Sequence, residues 1–362
     1  FRYLNMKNVS FIILAAGKSK RMKSNKSKVL HSLGDRPLLN FVYDIAKKNS
    51  SSKINFVCSD EVKHYVEMNF SNSKTIIQKK RLGTAHAVET AEKLIPNLNQ
   101  DIIVLFGDVP LIKDSTIKKL IRSKNKSKSI GSVVAFMTKK PFGYGRIILE
   151  NNFIKSIIEE KDASLGQKNI KLCNSGILIC DAKYLFKSIK KILNKNNQKE
   201  RFLTDICKIA YDDKKPFTFI RCSEIEASGI NSPKQLIDLD SEFQKTYKNK
   251  LIENGVGLIQ PETIRICYGT KIGKNVIIEP HVIIKKNVIV KDGTKILSGS
   301  YLEECTVGKN CSIGPYARIR PGTMINNNVK IGNFVEVKNS FIGNFSSISH
   351  LSYIGDSLIG KN

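Results

Sequence analysis

Two short runs in this chain carry side chains suited to handling phosphate. The first, Leu14-Ala15-Ala16-Gly17-Lys18-Ser19-Lys20-Arg21-Met22, closes an apolar stretch. Its small residues let backbone N–H groups approach phosphate oxygens, Arg21 offers a planar fork of donors, and Lys28 can reach the same anion. The run is neither a Walker loop nor a dinucleotide motif, and a glycine followed by basic residues is, taken alone, a solvated turn. The second is Phe106-Gly107-Asp108-Val109-Pro110, in which Asp108 follows an apolar run. An acid at the exit of a buried strand can hold a hard cation where ligands gather. In isolation the same residue serves as a turn former or helix N-cap.

Elements that would position these residues are legible on both sides of them. Up to about residue 230, apolar runs at Ser10–Ala15, Ile54–Cys58, Ile102–Phe106, Ser132–Met137, Ile177–Cys180 and Phe217–Ile220 alternate with helical patterns at Leu38–Lys48, Thr84–Leu94, Ser115–Arg122 and Lys183–Leu193. Such alternation predicts an α/β domain, a mostly parallel sheet covered by helices, with ligands at the carboxyl ends of the strands. Both phosphate-handling runs stand at such ends. Ser123–Ser129 reads as a solvated loop by composition. A polar, helix-prone stretch then runs from Ser232 to about Asn254.

Beyond it an aliphatic residue returns every six positions: Ile266, Ile272, Ile278, Ile284, Val290 and Ile296, then Val307, Ile313, Ile319, Ile325, Ile331 and Val337, then Ile342, Ile348 and Ile354. A hexapeptide period marks a parallel β-helix whose coils take about eighteen residues, with one apolar side chain per face pointing inward. The five-residue steps after Leu302 and Val337 fit adjustments at coil corners. The expected organisation is therefore a domain over residues 6–231, a linker over 232–256 and a β-helix over 257–362. The repeat is still running at Gly360-Lys361-Asn362, which leads us to expect further coils after Asn362. Met6 is the expected start, with Phe1–Asn5 as an extension.

Composition narrows the functions. Lys+Arg 60 against Asp+Glu 32 gives a formal charge of +28, but only 11 of the cations are arginine and none forms a basic cluster interleaved with aromatics. A dedicated nucleic-acid surface is not expected; the charge suits phosphorylated small substrates. Eight cysteines without a Cys-x-x-Cys pair argue against zinc and fit a reducing cytosol. Met6-Lys7 and the run Val9–Ala16 imitate a signal peptide, but a core strand ending in a glycine loop accounts for the same letters. No apolar run reaches the eighteen or so residues of a membrane span.

Leu14-x-Ala16-Gly17-x-x-x-Arg21-Met22 with Lys28-Val29-Leu30 resembles the signature of sugar-phosphate nucleotidylyltransferases. Further motifs follow in the order of that family: Gln78 with Leu82-Gly83-Thr84-Ala85-His86-Ala87, Phe106-Gly107-Asp108, Gly143-Tyr144-Gly145-Arg146, Ile158-Glu159-Glu160, Asn174-Ser175-Gly176, Leu203-Thr204-Asp205 and Gly229-Ile230-Asn231. With the hexapeptide repeat behind them, nearly the whole chain resembles the family of bacterial bifunctional N-acetylglucosamine-1-phosphate uridylyltransferases and glucosamine-1-phosphate acetyltransferases.

The resemblance implies a Rossmann-like nucleotidyltransferase domain followed by a left-handed parallel β-helix. It implies that a sugar 1-phosphate oxygen attacks the α-phosphorus of UTP, with Mg2+ held by Asp108 and Asn231, and with Arg21 and Lys28 neutralising charge. Leu14, Ala15, Ala16, Gly17, Gln78, Gly83, Thr84, Phe106 and Gly107 would bind the nucleotide, and Gly145, Glu159, Asn174 and Thr204 the sugar. His86 reads as structural. In the β-helix, Arg318, Lys338 and Tyr353 would hold glucosamine 1-phosphate, and His350 would take the amine proton as acetyl-CoA is attacked. A lone histidine at a β-helix corner is ordinarily inert; the motif His350-Leu351-Ser352-Tyr353-Ile354-Gly355-Asp356 is what gives it a role. The coils for acetyl-CoA would follow Asn362, so acetyl transfer by residues 1–362 is expected to be negligible. A cytoplasmic homotrimer feeding cell-envelope precursor synthesis completes the expectation.

Four positions depart from the family's pattern: Ser27 for Pro, Arg81 for Gln beside the base, Phe106 for Tyr and Phe202 for Tyr. An ADP-glucose or dTDP-glucose synthase is a neighbouring alternative, against which Gln78, Arg318, Lys338 and the His350 motif argue. A non-enzymatic subunit resembling those of translation initiation is another, and there the set Arg21, Lys28 and Asp108 would be expected to be lost.

Overall fold

Apolar runs with no polar alternation need cover on both faces, and here they obtain it. The structure, a computed structural model, describes residues 9–17, 20–127, 129–194 and 196–361. Met6, the Phe1–Asn5 extension and the loop residues Lys18 and Ser19 lie outside them. Two compact units separate: one of residues 1–31 and 37–235, the other of residues 32–36 and 236–362.

In chain order the first unit runs β1 (Val9–Ala15), α1 (Leu38–Asn49), β2 (Ile54–Cys58), α2 (Asp60–Asn69), β3 (Ser73–Ile77), α3 (Thr84–Ala91), β4 (Asp101–Phe106), α4 (Asp114–Ser127), β5 (Gly131–Met137), β6 (Arg146–Glu150), β7 (Phe153–Ile158), β8 (Leu172–Asp181), α5 (Ala182–Ile189), α6 (Ile206–Asp212) and β9 (Thr218–Cys222). The sheet order is β9-β5-β8-β4-β1-β2-β3, with the ribbon β6–β7 attached through β8. β1 is buried throughout and runs parallel to β2 and β4. One face of the sheet packs on α3, α5 and α6 through Val88, Phe186 and Ile206. The other packs on α1, α2 and α4 through Val42, Val66 and Ile117.

Three features depart from the expectation. β8 runs antiparallel to both β4 and β5 and shifts register between Asn174 and Leu178. The stretch Ser123–Ser129 is not wholly a loop: α4 continues to Ser127, because Lys124 turns back to pair with Asp101. Strands β3, β6 and β7 and helices α2 and α6 have no counterpart in the sequence reading.

The second unit begins with α7 (Pro233–Glu253), which also supplies the last residues of the first unit. Strands of two to four residues then stack into three six-stranded parallel sheets, the walls of a left-handed β-helix. Ile266, Ile278, Ile284, Ile296, Ile313, Ile319, Ile331 and Val337 are buried inside it. Ile266 stands beside Ile284, but Val290 beside Val307, so that coil is one residue shorter. Corner residues take a left-handed backbone, which is why asparagine recurs at Asn275, Asn287, Asn310, Asn328 and Asn339. The first coil is closed by α7. Gln244 donates to the Ile266 carbonyl at 2.8 Å and accepts from its N–H at 3.2 Å, and Lys248 donates to the Ile264 carbonyl at 3.0 Å.

Candidate active site

The carboxyl ends of β1 and β4 open into a cleft of 750 Å³ lined by the first unit alone. It brings together Leu14, Ala15, Ala16, Gly17, Lys28, Gln78, Gly83, Thr84, Phe106, Asp108, Gly145, Glu159, Asn174, Thr204 and Asn231. Two expected residues do not line it. Arg21 is exposed on the short turn Lys20–Met22 beyond the cleft wall. Gly107 is a packing position instead: its N–H donates to the Leu14 carbonyl at 3.0 Å, and a Cβ there would lie 2.9 Å from Leu39.

At the phosphate end, Lys28 Nζ pairs with Asp108 Oδ2 and donates to Asn231 Oδ1 at 3.0 Å. The two acceptors come from the exit of β4 and from the segment before α7, tied together by the Ile230 N–H on the Asp108 carbonyl at 3.0 Å. Two hard oxygens thus converge on one cationic group. One carboxylate and one amide oxygen suit Mg2+, which takes few protein ligands and completes its shell with water and phosphate.

The opposite wall is built by the loop before α3. Gly83 has φ +110°, and a Cβ there would collide with the backbone of Arg201, so only glycine fits. The Arg201 N–H donates to the Leu82 carbonyl at 2.7 Å, Ala85 N–H donates to the Arg201 carbonyl at 3.0 Å, and Leu203 N–H donates to Thr84 Oγ1 at 2.9 Å. Arg201 is itself held by Glu89 at 2.5 Å and by the carbonyls of Ile189 and Ile192. Gln78 is buried against this loop, its Nε2 3.0 Å from His86 Nδ1.

The side wall carries the polar groups expected for a sugar. Thr204 donates to Glu159 at 2.9 Å, and burial pushes the Glu159 carboxyl above its ordinary range against that bond. Gly145 is buried beside Glu159; its carbonyl accepts from Asn174 N–H at 2.9 Å, and Asn174 Oδ1 accepts from Gly176 N–H at 3.0 Å. The turn carrying Tyr144 and Gly145 is clamped from below. Arg146, 1% exposed, donates to Glu160 at 2.6 Å and to the Tyr144 carbonyl, while Glu160 also accepts from Gly143 N–H at 3.1 Å. Arg146 is therefore a support for the turn rather than part of the wall.

In the second unit, Arg318, Glu336 and Tyr353 stand in register on consecutive coils of one sheet. Glu336 pairs with Arg318 at 3.8 Å and Arg320 at 2.6 Å, and Lys338 with Asp356 at 3.8 Å. His350 is exposed at the end of the strand Ser347–His350, beside Asn333. These side chains share the outer surface of adjacent coils.

Cleft residues not assigned a role from sequence include Tyr144, Glu200, Cys207 and Gly229. Tyr144 and Gly229 lie inside motifs already singled out; Glu200 and Cys207 carry no local pattern and reach the cleft only through the fold. All eight cysteines are free thiols. Among the described residues no group of three His, Cys, Asp or Glu could hold a metal, and no helix is long and apolar enough to cross a membrane.

Residues 10–224 match the family described as nucleotidyl transferase, and residues 269–303 and 304–339 match the bacterial transferase hexapeptide family. The chain is 39% identical over 279 residues to a bifunctional protein GlmU of Zymomonas mobilis, covering 76% of this chain and 62% of that one. It is 38% identical over 360 residues to a bifunctional protein GlmU of Bartonella bacilliformis, covering 99% of this chain and 80% of that one. The chain thus spans only part of the length of each of these two relatives. The fold is also similar, at a TM-score of 0.53 and 20% identity, to a crystal structure titled as a putative glucose-1-phosphate thymidylyltransferase from Bacillus anthracis, over 65% of this chain and 94% of that one.

Proposed function

Because the chain belongs to the nucleotidyl transferase family, and within it to the bifunctional GlmU proteins, we propose that its first unit transfers UMP from UTP to N-acetylglucosamine 1-phosphate, releasing pyrophosphate. The observation that carries this reading is the convergence of Lys28, Asp108 and Asn231 at one end of a cleft whose other walls hold Gln78 and Glu159. The attacking phosphate oxygen is already ionised, so no catalytic base is required, and alignment and charge neutralisation remain as the protein's work. Lys28 balances the triphosphate while the small residues Ala15, Ala16 and Gly17 admit it to the backbone. Gln78 and the loop at Gly83 receive the base. Glu159, Thr204, Asn174 and Gly145 hold the sugar so that its phosphate lies in line with the α-phosphorus. Mg2+ would be held by Asp108 and Asn231, and when bound it supplies charge neutralisation on the phosphates.

For the second unit the proposed role is the amino-sugar half of a site for acetylation of glucosamine 1-phosphate by acetyl-CoA. Arg318, Lys338 and Tyr353 hold the sugar phosphate, and His350 accepts the amine proton as a neutral imidazole. This activity belongs to a cytoplasmic homotrimer assembled through the β-helix, and the product UDP-N-acetylglucosamine feeds cell-envelope synthesis. The test is pyrophosphate release across a matrix of nucleoside triphosphates and sugar 1-phosphates with Mg2+. Highest turnover is expected for UTP with N-acetylglucosamine 1-phosphate; preference for another pair rejects the reading.

A further inference from the structure

We propose that His86 is a positioning residue that fixes the orientation of the Gln78 amide, and that Arg81 completes with it an edge that accepts uracil and rejects cytosine. The inference rests on the uridylyl-transfer reading above and adds the source of its base selectivity.

Gln78 Nε2 lies 3.0 Å from His86 Nδ1 and 3.4 Å from the Gly83 carbonyl oxygen. A carbonyl only accepts, so the end of the amide facing Gly83 is its NH2 group. The same nitrogen then donates to His86, whose Nδ1 is the ring nitrogen without a proton. Both amide hydrogens are thereby used inside the protein. Oε1 receives no hydrogen bond from the described residues, and it is what Gln78 retains for a ligand in the cleft it lines. It can only accept.

Arg81 stands three residues along, exposed on the same cleft wall, and can only donate. An acceptor beside a donor complements the N3–H of uracil and its flanking carbonyl. Cytosine offers an acceptor at N3 and an amino group at C4, and is mismatched at both. A glutamine free to turn over would serve either base, so discrimination comes from the Gly83 carbonyl and the closer imidazole that together hold it, rather than from Gln78 itself. The imidazole is well placed for this. His86 is half-buried in the first turn of α3, which the bond from Ala85 N–H to the Arg201 carbonyl fixes in place.

The experiment measures kcat/KM for UTP and CTP with one sugar 1-phosphate, together with equilibrium binding of each nucleotide alone, for the wild type, His86→Ala, His86→Asn and Arg81→Met. The wild type should prefer UTP. His86→Ala should lower the UTP-to-CTP ratio by about tenfold, the effect of one hydrogen bond that no longer selects the amide orientation. His86→Asn, whose Oδ1 occupies the place of Nδ1, should restore most of it. Arg81→Met should lower the ratio too, since the donor is removed. Equal loss with both nucleotides in His86→Ala would make His86 merely structural and overturn the proposal, as would a nitrogen NMR signature with the ring proton on Nδ1. An unchanged ratio in Arg81→Met removes Arg81 from it. A wild type that binds neither nucleotide refutes the uridylyl-transfer reading itself, a result distinct from UTP preference that the variants leave unaltered.

Discussion

Asp108→Ala should remove uridylyl transfer while sparing the fold, and the structure sets both magnitudes. The Asp108 side chain is 14% exposed and its partner Lys28 16% exposed. Deleting the carboxylate does not strand a dry charge, because Lys28 keeps Asn231 Oδ1 at 3.0 Å and some access to water. The lost charge-assisted hydrogen bond is worth about 2 kcal/mol. For a unit of this size that lowers the melting temperature by about 4–8 °C. Activity should fall much further. With the two protein ligands proposed for the cation, loss of the charged one forfeits about 3–4 kcal/mol of charge stabilisation, or about 10²–10³-fold in turnover. Asp108→Asn should show nearly the same activity loss with less thermal effect, since it keeps the oxygen and gives up the charge. Pyrophosphate release at saturating Mg2+ and a thermal melt on the same preparation decide the matter. Turnover within tenfold of the wild type would refute the ligand assignment, and unfolding at room temperature would refute the claim that Asp108 is not a core group.

Glu159 has its carboxyl pKa raised by burial, so ionised Glu159 costs stability. That cost is absent below the unfolded carboxylate range, near pH 4.3, and grows as pH rises toward the folded value; Glu159→Gln should therefore gain melting temperature relative to wild type between pH 4 and 7, while its KM for the sugar phosphate rises. Arg146→Met leaves Glu160 without its cation beneath the Tyr144 turn; a loss of about 3 kcal/mol, seen in urea melts, should accompany a larger rise in KM for the sugar phosphate than for UTP. Arg318→Ala should weaken calorimetric binding of glucosamine 1-phosphate at least about tenfold through the lost charge-assisted bond, and unchanged affinity would exclude it from that site. Light scattering at working concentration should report three chains per particle; a monomer contradicts the proposed assembly.

How much of this was legible beforehand depends on the reach of each interaction along the chain. The hexapeptide period is local and strict, since every sixth side chain must enter the β-helix core, so Ile266 to Val337 could be read inward from the sequence alone. The same holds for β1, where seven residues without polar alternation demand cover on both faces, and for the small residues that follow it. Strands β6 and β7 are short and half-exposed, and α2 carries only Val62 and Val66 as its buried residues, so their patterns fall below what periodicity resolves. Strand direction leaves no trace in composition, which hid the antiparallel β8 and the bulge that sets Asn174 beside Gly145. Residues 32–36 group with the β-helix because Asp35 pairs with Lys285 and accepts from the Cys267 thiol, partners more than two hundred positions away. The cleft divides in the same way. Leu14 to Gly17, Lys28 and Asp108 announce phosphate chemistry by residue type and neighbourhood. That Lys28 sits between Asp108 and Asn231, that Thr204 holds Glu159, and that Arg21 is not among the residues lining the cleft are outcomes of packing between distant segments, which only the folded chain decides.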